Sequence, residues 1–369
     1  MASAIVKGAP GHYRLGEGVL EELPSLLAEL RIEKLHIIAG KTAWEKTKPY
    51  LPKEIIDQAK SQSTFTKGHC TLETAEKIAG DLTAQSIEAV IGIGGGTALD
   101  TAKAAAAEAG LPVVLVPTIA ATCAAWAPLS VFYNEQGAFT HFTEFPEANT
   151  LLLVEPAIIA SAPVRYLQAG IADTLAKYYE ARVLIASFYK DAELPVRLQI
   201  SQGAAEICRD TLLKDSKTAI EAVTKGEVTE PLVRVIESVF MAGGMVGGFG
   251  EKAGRIAAAH SIHNGLTEAK ETKNHLHGEL VAYGLLVQLA LENDVVELEK
   301  LIHCYSEWGL PKTLKDLSID PEQTELLKRI VQKATLPQES IHYMDVEITE
   351  DTVFQAIQAV EAIESLVHN

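Results

Sequence analysis

The sequence predicts an α/β domain built on a doubly wound parallel sheet, followed by an all-helical domain. Three observations carry this expectation. Short, strongly apolar runs alternate with helical stretches up to about residue 160. The strand signal almost vanishes after APVRYL (162–167). In the first half, one apolar run passes through three glycines straight into a helical pattern, AVIGIGGGTALDTAKA (89–104).

In chain order, the runs LHII (35–38), AVIGI (89–93), PVVLV (112–116) and TLLLV (150–154) read as strands, and all but the first are flanked by Gly, Pro or Asn. Runs this apolar suit strands covered on both faces, as in a parallel sheet. Between them, LETAEKIAGDLTAQ (72–85) and LDTAKAAAAEAG (99–110) show helical spacing, and strand–helix alternation argues for the doubly wound class. Beyond residue 167, LPVRLQISQGAAEICRDTLL, PLVRVIESVFMAGGM and HGELVAYGLLVQLALEN all keep helical periodicity. The expected division is residues 1–161 and 162–369, and a cleft between two such domains is a common place for a ligand.

The bulk composition bounds the function. The chain has 369 residues, is 47% hydrophobic and 22% charged, and carries a net charge of −17. That acidity argues against a nucleic-acid or anionic-membrane surface, since either needs a basic footprint. No uninterrupted apolar run reaches membrane-spanning length, and the start lacks a signal peptide's apolar stretch. Cys70, Cys123, Cys208 and Cys304 are scattered without framework spacing, as expected for free thiols in a reducing cytoplasm.

Three stretches carry chemistry. Gly94, Gly95 and Gly96 allow a tight turn, and the helix starting near Ala98 presents free N–H groups above it. A pyrophosphate is the natural occupant, although Thr97 stands where the GxGxxG dinucleotide fingerprint has its last glycine; a tight connection in a crowded sheet is the plainer alternative. In GIADTLAK (170–177), Asp173 and Lys177 lie four apart on one helix face. Their neighbours Leu167, Ala169, Ile171, Leu175 and Ala176 are apolar, which suits a buried face better than the solvated salt bridge such spacing usually gives. In AAAHSIHNGLTEAKETKNHLHGE, His260 and His263 share a helix, and His277 opens the next one after a polar loop that holds His275. Converging histidines read either as satisfied core residues or as metal ligands. Two imidazoles and a carboxylate would form a three-ligand site with one position open to substrate.

Together, GIGGGxxLDTAKA, PTIAATCAAWAPLSVFY, AGIADTLAKYYEA, HSIHNGLT and HGExVAYGxLVQLALEN resemble the glycerol dehydrogenase branch of the iron-containing alcohol dehydrogenases, over essentially the whole chain. The resemblance implies the dehydroquinate synthase-like fold, with an N-terminal NAD(P)-binding domain, a C-terminal helical domain and an active site between them. It implies that Asp173, His260 and His277 hold one divalent metal (zinc or iron), and that the dinucleotide phosphates lie over Gly94, Gly95, Gly96 and Thr97. It further implies that Asp100 supports that turn, and that Thr118, Leu129 and Tyr133 line the nicotinamide side. The expected partner is a small-molecule substrate, and the protein is expected to be a homo-oligomer.

Departures from the glycerol pattern redirect the substrate. Thr97 replaces the usual lysine of GGGK. After the LHII strand the family often places Asp against the adenosine ribose, whereas here Gly40, Lys41 and Thr42 leave room, a cation and a hydroxyl, so that NADP(H) is expected to be accepted alongside NAD(H). Cys123 replaces the acid that meets glycerol's hydroxyls, and Lys177 stands where glycerol enzymes carry a small neutral residue. The pocket thus loses a negative charge and gains a positive one, which suits a carboxylate. An ion pair at about 4 Å is worth up to roughly 4 kcal/mol at an effective dielectric near 20, before desolvation. The combination TIAATCAAWAPLSV with GIADTLAKYYEA looks like the hydroxycarboxylate dehydrogenase A subgroup. This implies hydride transfer between NAD(P)H and a small 2-oxo acid, with Lys177, His263 and Cys123 at the substrate. A dication and an ammonium about 6 Å apart repel by roughly 5 kcal/mol at that dielectric, so substrate carboxylate bridging the two is one expectation and Lys177 pairing with Asp173 is the other. The rival readings are an NAD-dependent polyol dehydrogenase and a metal-free relative that only binds nucleotide.

Overall fold

The computed structural model describes residues 5–135, 137, 139–190 and 192–367, with side chains through residue 363. It divides into two compact units. One comprises Lys7–Pro163 and Ala222–Ile236; the other comprises Val164–Glu221 and residues 237–367, together with Ile5 and Val6.

The first unit carries β1 (His12–Leu15), α1 (Leu23–Glu29), β2 (Leu35–Gly40), α2 (Lys41–Thr47), α3 (Lys53–Ala59), β3 (Ser63–Thr66), α4 (Leu72–Ala84), β4 (Ala89–Gly94), α5 (Gly96–Ala109), β5 (Val113–Pro117), β6 (Leu129–Tyr133), β7 (Phe139–Glu144), β8 (Leu151–Val154) and α6 (Pro156–Ala160). Six strands form one parallel sheet in the order β1-β8-β5-β4-β2-β3. Its four inner strands are the apolar runs of the sequence, and their residues are buried almost without exception, as a sheet covered on both faces requires. The edge strands β1 and β3, HYRL and STFT, are partly exposed and mixed in polarity, which is why apolar periodicity did not announce them. Strands β6 and β7 form a separate antiparallel hairpin.

From β2 the chain moves to one side, to β3; from β4 it moves to the other, to β5. The strand order therefore reverses between β2 and β4. In open α/β sheets, ligands occupy the crevice outside the carboxyl ends of the strands at such a point.

The second unit is helical: α7 (Val164–Tyr189), α8 (Val196–Lys225, whose last turn groups with the first unit), α10 (Gly243–Gly250), α11 (Ala258–Leu266), α12 (His277–Leu291), α13 (Val295–Trp308), α14 (Thr324–Ala334) and α15 (Glu350–Val367), while α9 (Glu230–Glu237) groups with the first unit up to Ile236. One continuous helical stretch, Glu230–Gly254, has the length and composition of a membrane span despite its internal charges, and 56% of its most apolar window is buried inside the protein. Core helices pass the same test.

Helix α12 is apolar all round and buried along nearly its whole length, so it packs against neighbours on every side. Two glycines let it approach them closely. A Cβ on Gly278 would lie 1.9 Å from the Ala169 carbonyl oxygen of α7, and one on Gly284 would lie 2.2 Å from the Ala259 carbonyl oxygen of α11. Backbone contact on two sides brings the first residue of α12, His277, up to residues of α7 and α11.

Candidate active site

In the α/β unit, the carboxyl ends of β2 and β4 lie side by side, with Ala39 opposite Ile93. Gly94 has φ +151°, a conformation L side chains rarely adopt, and a Cβ on Gly95 would come within 2.6 Å of Ile119 Cδ1. Gly94 thus needs glycine, and a Cβ on Gly95 would require the tip of Ile119 to move. Helix α5 begins at Gly96, two residues earlier than the start expected near Ala98, and Gly95 caps it without a side-chain acceptor. The first N–H groups of α5 are therefore left for a ligand. Thr97 is exposed beside them. Gly40 ends β2 and caps α2, with Lys41 and Thr42 exposed in its first turn, so the Gly40–Thr42 segment adjoins the glycine turn at the reversal point of the sheet. Thr118 joins the group, its N–H donating to the Gly94 carbonyl at 3.0 Å.

Asp100 behaves differently from expectation. Its carboxylate does not bond the glycine turn. It accepts from the Val131 N–H at 3.2 Å and meets Lys103 Nζ at 2.9 Å, while its own carbonyl accepts from the Ser130 hydroxyl. Lys103, overlooked in the sequence, is fully buried and donates to the carbonyls of Ala124, Ala127 and Leu129. A buried ammonium of this kind is stable only when it is paired and its donors are met. Asp100 and Lys103 together fasten the segment bearing half-buried Cys123 and Leu129 onto α5. Tyr133 ends the same β6 strand, its N–H donating to the Cys70 carbonyl. Burial, reinforced by Asp100, pushes its hydroxyl above the usual pKa.

In the helical unit, Asp173 of α7, His260 of α11 and His277 of α12 converge. Each offers a ligand atom, and the three atoms lie within 4.8 Å of one another. Asp173 Oδ1 is 3.5 Å from His260 Nε2 and 3.3 Å from His277 Nε2, and Oδ2 is 3.5 Å from Lys177 Nζ. The flanking residues Leu167, Ala169, Ile171, Leu175 and Ala176 are all buried, so the Asp173–Lys177 pair is an interior one. Burial alone would raise the Asp173 pKa, but Lys177, His260 and His277 hold it well below the usual carboxylate range. The side chain of His277 is 40% exposed and forms the open edge of the cluster.

The rings are oriented by a second layer of partners. Glu180, also on α7, lies 2.7 Å from His260 Nδ1. Burial lowers the His260 pKa, but Glu180 and Asp173 more than offset this and raise it to about 9. On the other side, Asn264 donates its amide N–H to Glu339 at 3.0 Å, which leaves its carbonyl oxygen facing His263 Nδ1, also at 3.0 Å. His263 Nδ1 is then the donor, and His263 Nε2 accepts from His277 Nδ1 at 2.9 Å. Burial, with His277 and His260 beside it, holds the His263 pKa well below its ordinary value, so the ring is neutral. Both nitrogens of His263 are thus engaged, and it stands behind His277. His275 lies outside the cluster and meets Glu279 at 3.2 Å. Glu279 also accepts from the Leu276 N–H and from Arg165 of α7, which locks the start of α12 in place.

Two imidazole nitrogens and one buried carboxylate oxygen, converging with one side open, form a donor set that suits zinc or iron. Among the described residues this is the one such cluster of three or more His, Cys, Asp or Glu.

The iron-containing alcohol dehydrogenase family model matches residues 10–156. Hydroxycarboxylate dehydrogenase A of Escherichia coli (strain K12) is 39% identical over 356 residues, covering 96% of this chain and 97% of that protein. The chain belongs to the iron-containing alcohol dehydrogenase family. Glycerol dehydrogenase of Pseudomonas putida is 35% identical, covering 95% of each chain. The crystal structure of a probable glycerol dehydrogenase from Sinorhizobium meliloti 1021 superposes with a TM-score of 0.86 at 30% identity over the full length of both chains. The protein is accordingly an NAD(P)-dependent oxidoreductase of small molecules that uses a divalent metal.

Proposed function

We propose that this enzyme reduces a small 2-oxo monocarboxylic acid to the 2-hydroxy acid, with Asp173, His260 and His277 holding the metal and Lys177 receiving the substrate carboxylate. A nicotinamide cofactor held over Gly94, Gly95, Gly96 and Thr97 would supply a hydride to the substrate carbonyl carbon, with the balancing proton taken from solvent. A divalent cation supplies Lewis acidity toward the carbonyl oxygen. The chain's own residues do the rest. Asp173 holds the Lys177 ammonium on the ligand side of the cluster, Glu180 and His263 fix the two imidazoles, and the N–H groups of α5 bind the dinucleotide phosphates. Gly40, Lys41 and Thr42 are proposed to admit a 2′-phosphate, so that NADPH serves as well as NADH.

The observation that carries the substrate assignment is the charge of the buried cluster. Asp173 and Glu180 contribute −2 and Lys177 contributes +1, with the imidazoles neutral as ligands. A dication brings the site to +1, which a monocarboxylate neutralises. A site without the lysine would be neutral and would match an uncharged polyol. Similarity to hydroxycarboxylate dehydrogenase A points the same way.

Glycerol oxidation is the second reading, favoured by the glycerol dehydrogenases among the relatives. Metal-loaded protein assayed with 2-oxobutyrate plus NADPH or NADH, and with glycerol plus either oxidised cofactor, separates the two. The expected result is kcat/KM at least about 10²-fold higher for the 2-oxo acid, the scale of one buried charge pair. A preference for glycerol would overturn the assignment. Metal-free protein with no turnover of either substrate would favour a nucleotide-binding relative.

A further inference from the structure

Helix α7 carries a third charged residue on the face of Asp173 and Lys177. Glu180 follows Asp173 by seven residues and Lys177 by three, so the three share one stripe of the helix. Its side chain is completely buried. The carboxylate is met by three N–H groups: Oε1 accepts from the backbone of Ala257 at 2.7 Å and of His260 at 3.0 Å, and Oε2 faces His260 Nδ1 at 2.7 Å.

We propose that Glu180 is a positioning residue that sets the affinity of the metal site, by holding His260 in one tautomer and by offsetting the charge of Lys177. This rests on the assignment of the metal to Asp173, His260 and His277.

An ionised carboxylate only accepts hydrogen bonds. The imidazole proton facing Glu180 therefore belongs to Nδ1, and the Nε2 lone pair of a neutral His260 points toward Asp173 Oδ1. Oε1 holds the backbone at the start of α11 while Oε2 holds the ring, so a single carboxylate fixes both the position and the rotation of the ligand. Charge acts in the same direction. Asp173 and Lys177 cancel, and a dication entering such a pair would meet an ammonium in an otherwise neutral pocket. Once the incoming metal has displaced the His260 proton, Glu180 makes the pocket net negative without adding a ligand. Partners of this kind typically change metal affinity by about 10–100-fold.

The test titrates metal-free, full-length protein with Zn²⁺ against a chromophoric chelator. Glu180→Gln keeps the shape and lets the amide oxygen go on accepting the two backbone N–H groups. Its NH₂ then faces His260 Nδ1 and drives the ring proton onto Nε2. The expected result is a Kd for Zn²⁺ raised by about 10–100-fold, with the circular-dichroism unfolding midpoint of the metal-free protein near that of the wild type. Adding Lys177→Met to Glu180→Gln should recover part of the affinity, because it restores the net charge of the pocket. On a His260→Ala background, Glu180→Gln should raise Kd by distinctly less than it does in the wild type, because only the charge contribution is left. A Kd for Glu180→Gln within about threefold of wild type, or an undiminished loss on the His260→Ala background, would overturn the inference. Should Glu180→Gln not fold, ¹⁵N NMR of zinc-loaded wild type decides: a proton on His260 Nδ1 supports the proposal and a proton on Nε2 refutes it. Wild-type protein that binds no Zn²⁺ would refute the metal assignment instead.

Discussion

The β4–α5 turn offers a ligand backbone N–H groups, whereas the pocket around Asp173 offers side chains, and the two are held together in opposite ways. The turn lies within a few residues, Gly94 to Thr97, and depends on what is missing: Gly94 has φ +151°, and a Cβ there would lie 2.8 Å from the Ala98 Cβ. The pocket draws on residues from position 173 to 339, and each of its groups depends on a partner elsewhere in the chain. His260 needs Glu180, 80 residues away, and His277 needs His263, Asn264 and Glu339 in series. A backbone site tolerates most changes of nearby charge and fails on added volume. A side-chain site tolerates little change in charge, because its groups are buried and mutually compensating.

The largest expected effect tests whether volume matters only at the turn. Gly278 sits against the Ala169 carbonyl so closely that an added methyl cannot be accommodated without moving α12 off α7. Gly278→Ala should cost about 3 kcal/mol or more of stability and should remove bound metal by displacing His277. Gly203 on α8 is the control, since a Cβ there meets open space. Gly203→Ala should stabilise by about 0.5–1 kcal/mol. Thermal unfolding and metal content of the two variants check the pair, and similar behaviour of both would show that the α7–α12 approach is not rigid.

Next in size is a change of charge without a change of fold. Lys177→Ala should raise KM for 2-oxo acids by roughly 10²-fold, within the range for losing one partner of a buried charge pair. Turnover of a neutral polyol should change far less, and Zn²⁺ affinity should hold or improve because a repelling charge has gone. Equal losses for acids and polyols in steady-state kinetics would make Lys177 a structural partner of Asp173 and nothing more.

These contrasts explain what could be read from the sequence. The inner strands are continuous apolar runs, and so the doubly wound α/β domain was legible; β1 and β3, on the sheet edges, carry polar residues and were not. The convergence of Asp173, His260 and His277 was approached through a family resemblance and histidine spacing, and packing of α12 on α7 and α11 completes it. Glu180 had no local signal. A glutamate inside YYEAR looks like a surface residue until the start of α11 is folded against it. The family resemblance implies that Asp100 supports the turn, but its carboxylate accepts from the Val131 N–H and meets Lys103 instead. Lys103 read as one more helix lysine because its acceptors are carbonyls more than 20 residues ahead.

The smallest predicted effect belongs to the backbone site and has two separable readouts. Gly40 has φ −72° and ψ 140°, ordinary extended backbone, and the nearest atom to a Cβ there is the Ala43 Cβ at 3.7 Å. A Cβ is therefore accommodated there without strain. Gly40 is also the N-cap of α2 and has no side chain with which to cap it. Gly40→Asp supplies that acceptor, so stability should rise by a few tenths of a kcal/mol. The same carboxylate would face a 2′-phosphate. A dianion about 6 Å from a carboxylate is repelled by about 1.4 kcal/mol even at the dielectric of water, which is roughly tenfold. The ratio of kcat/KM for NADPH to that for NADH should therefore fall by about tenfold or more, while the unfolding midpoint holds or rises slightly. If the midpoint rises and the ratio stays fixed, the cap forms but the ribose is read elsewhere, and the assignment of Gly40, Lys41 and Thr42 to the cofactor's adenosine end fails. If both readouts move as stated, one added carboxylate has changed which cofactor is preferred without touching the glycines that bind its phosphates.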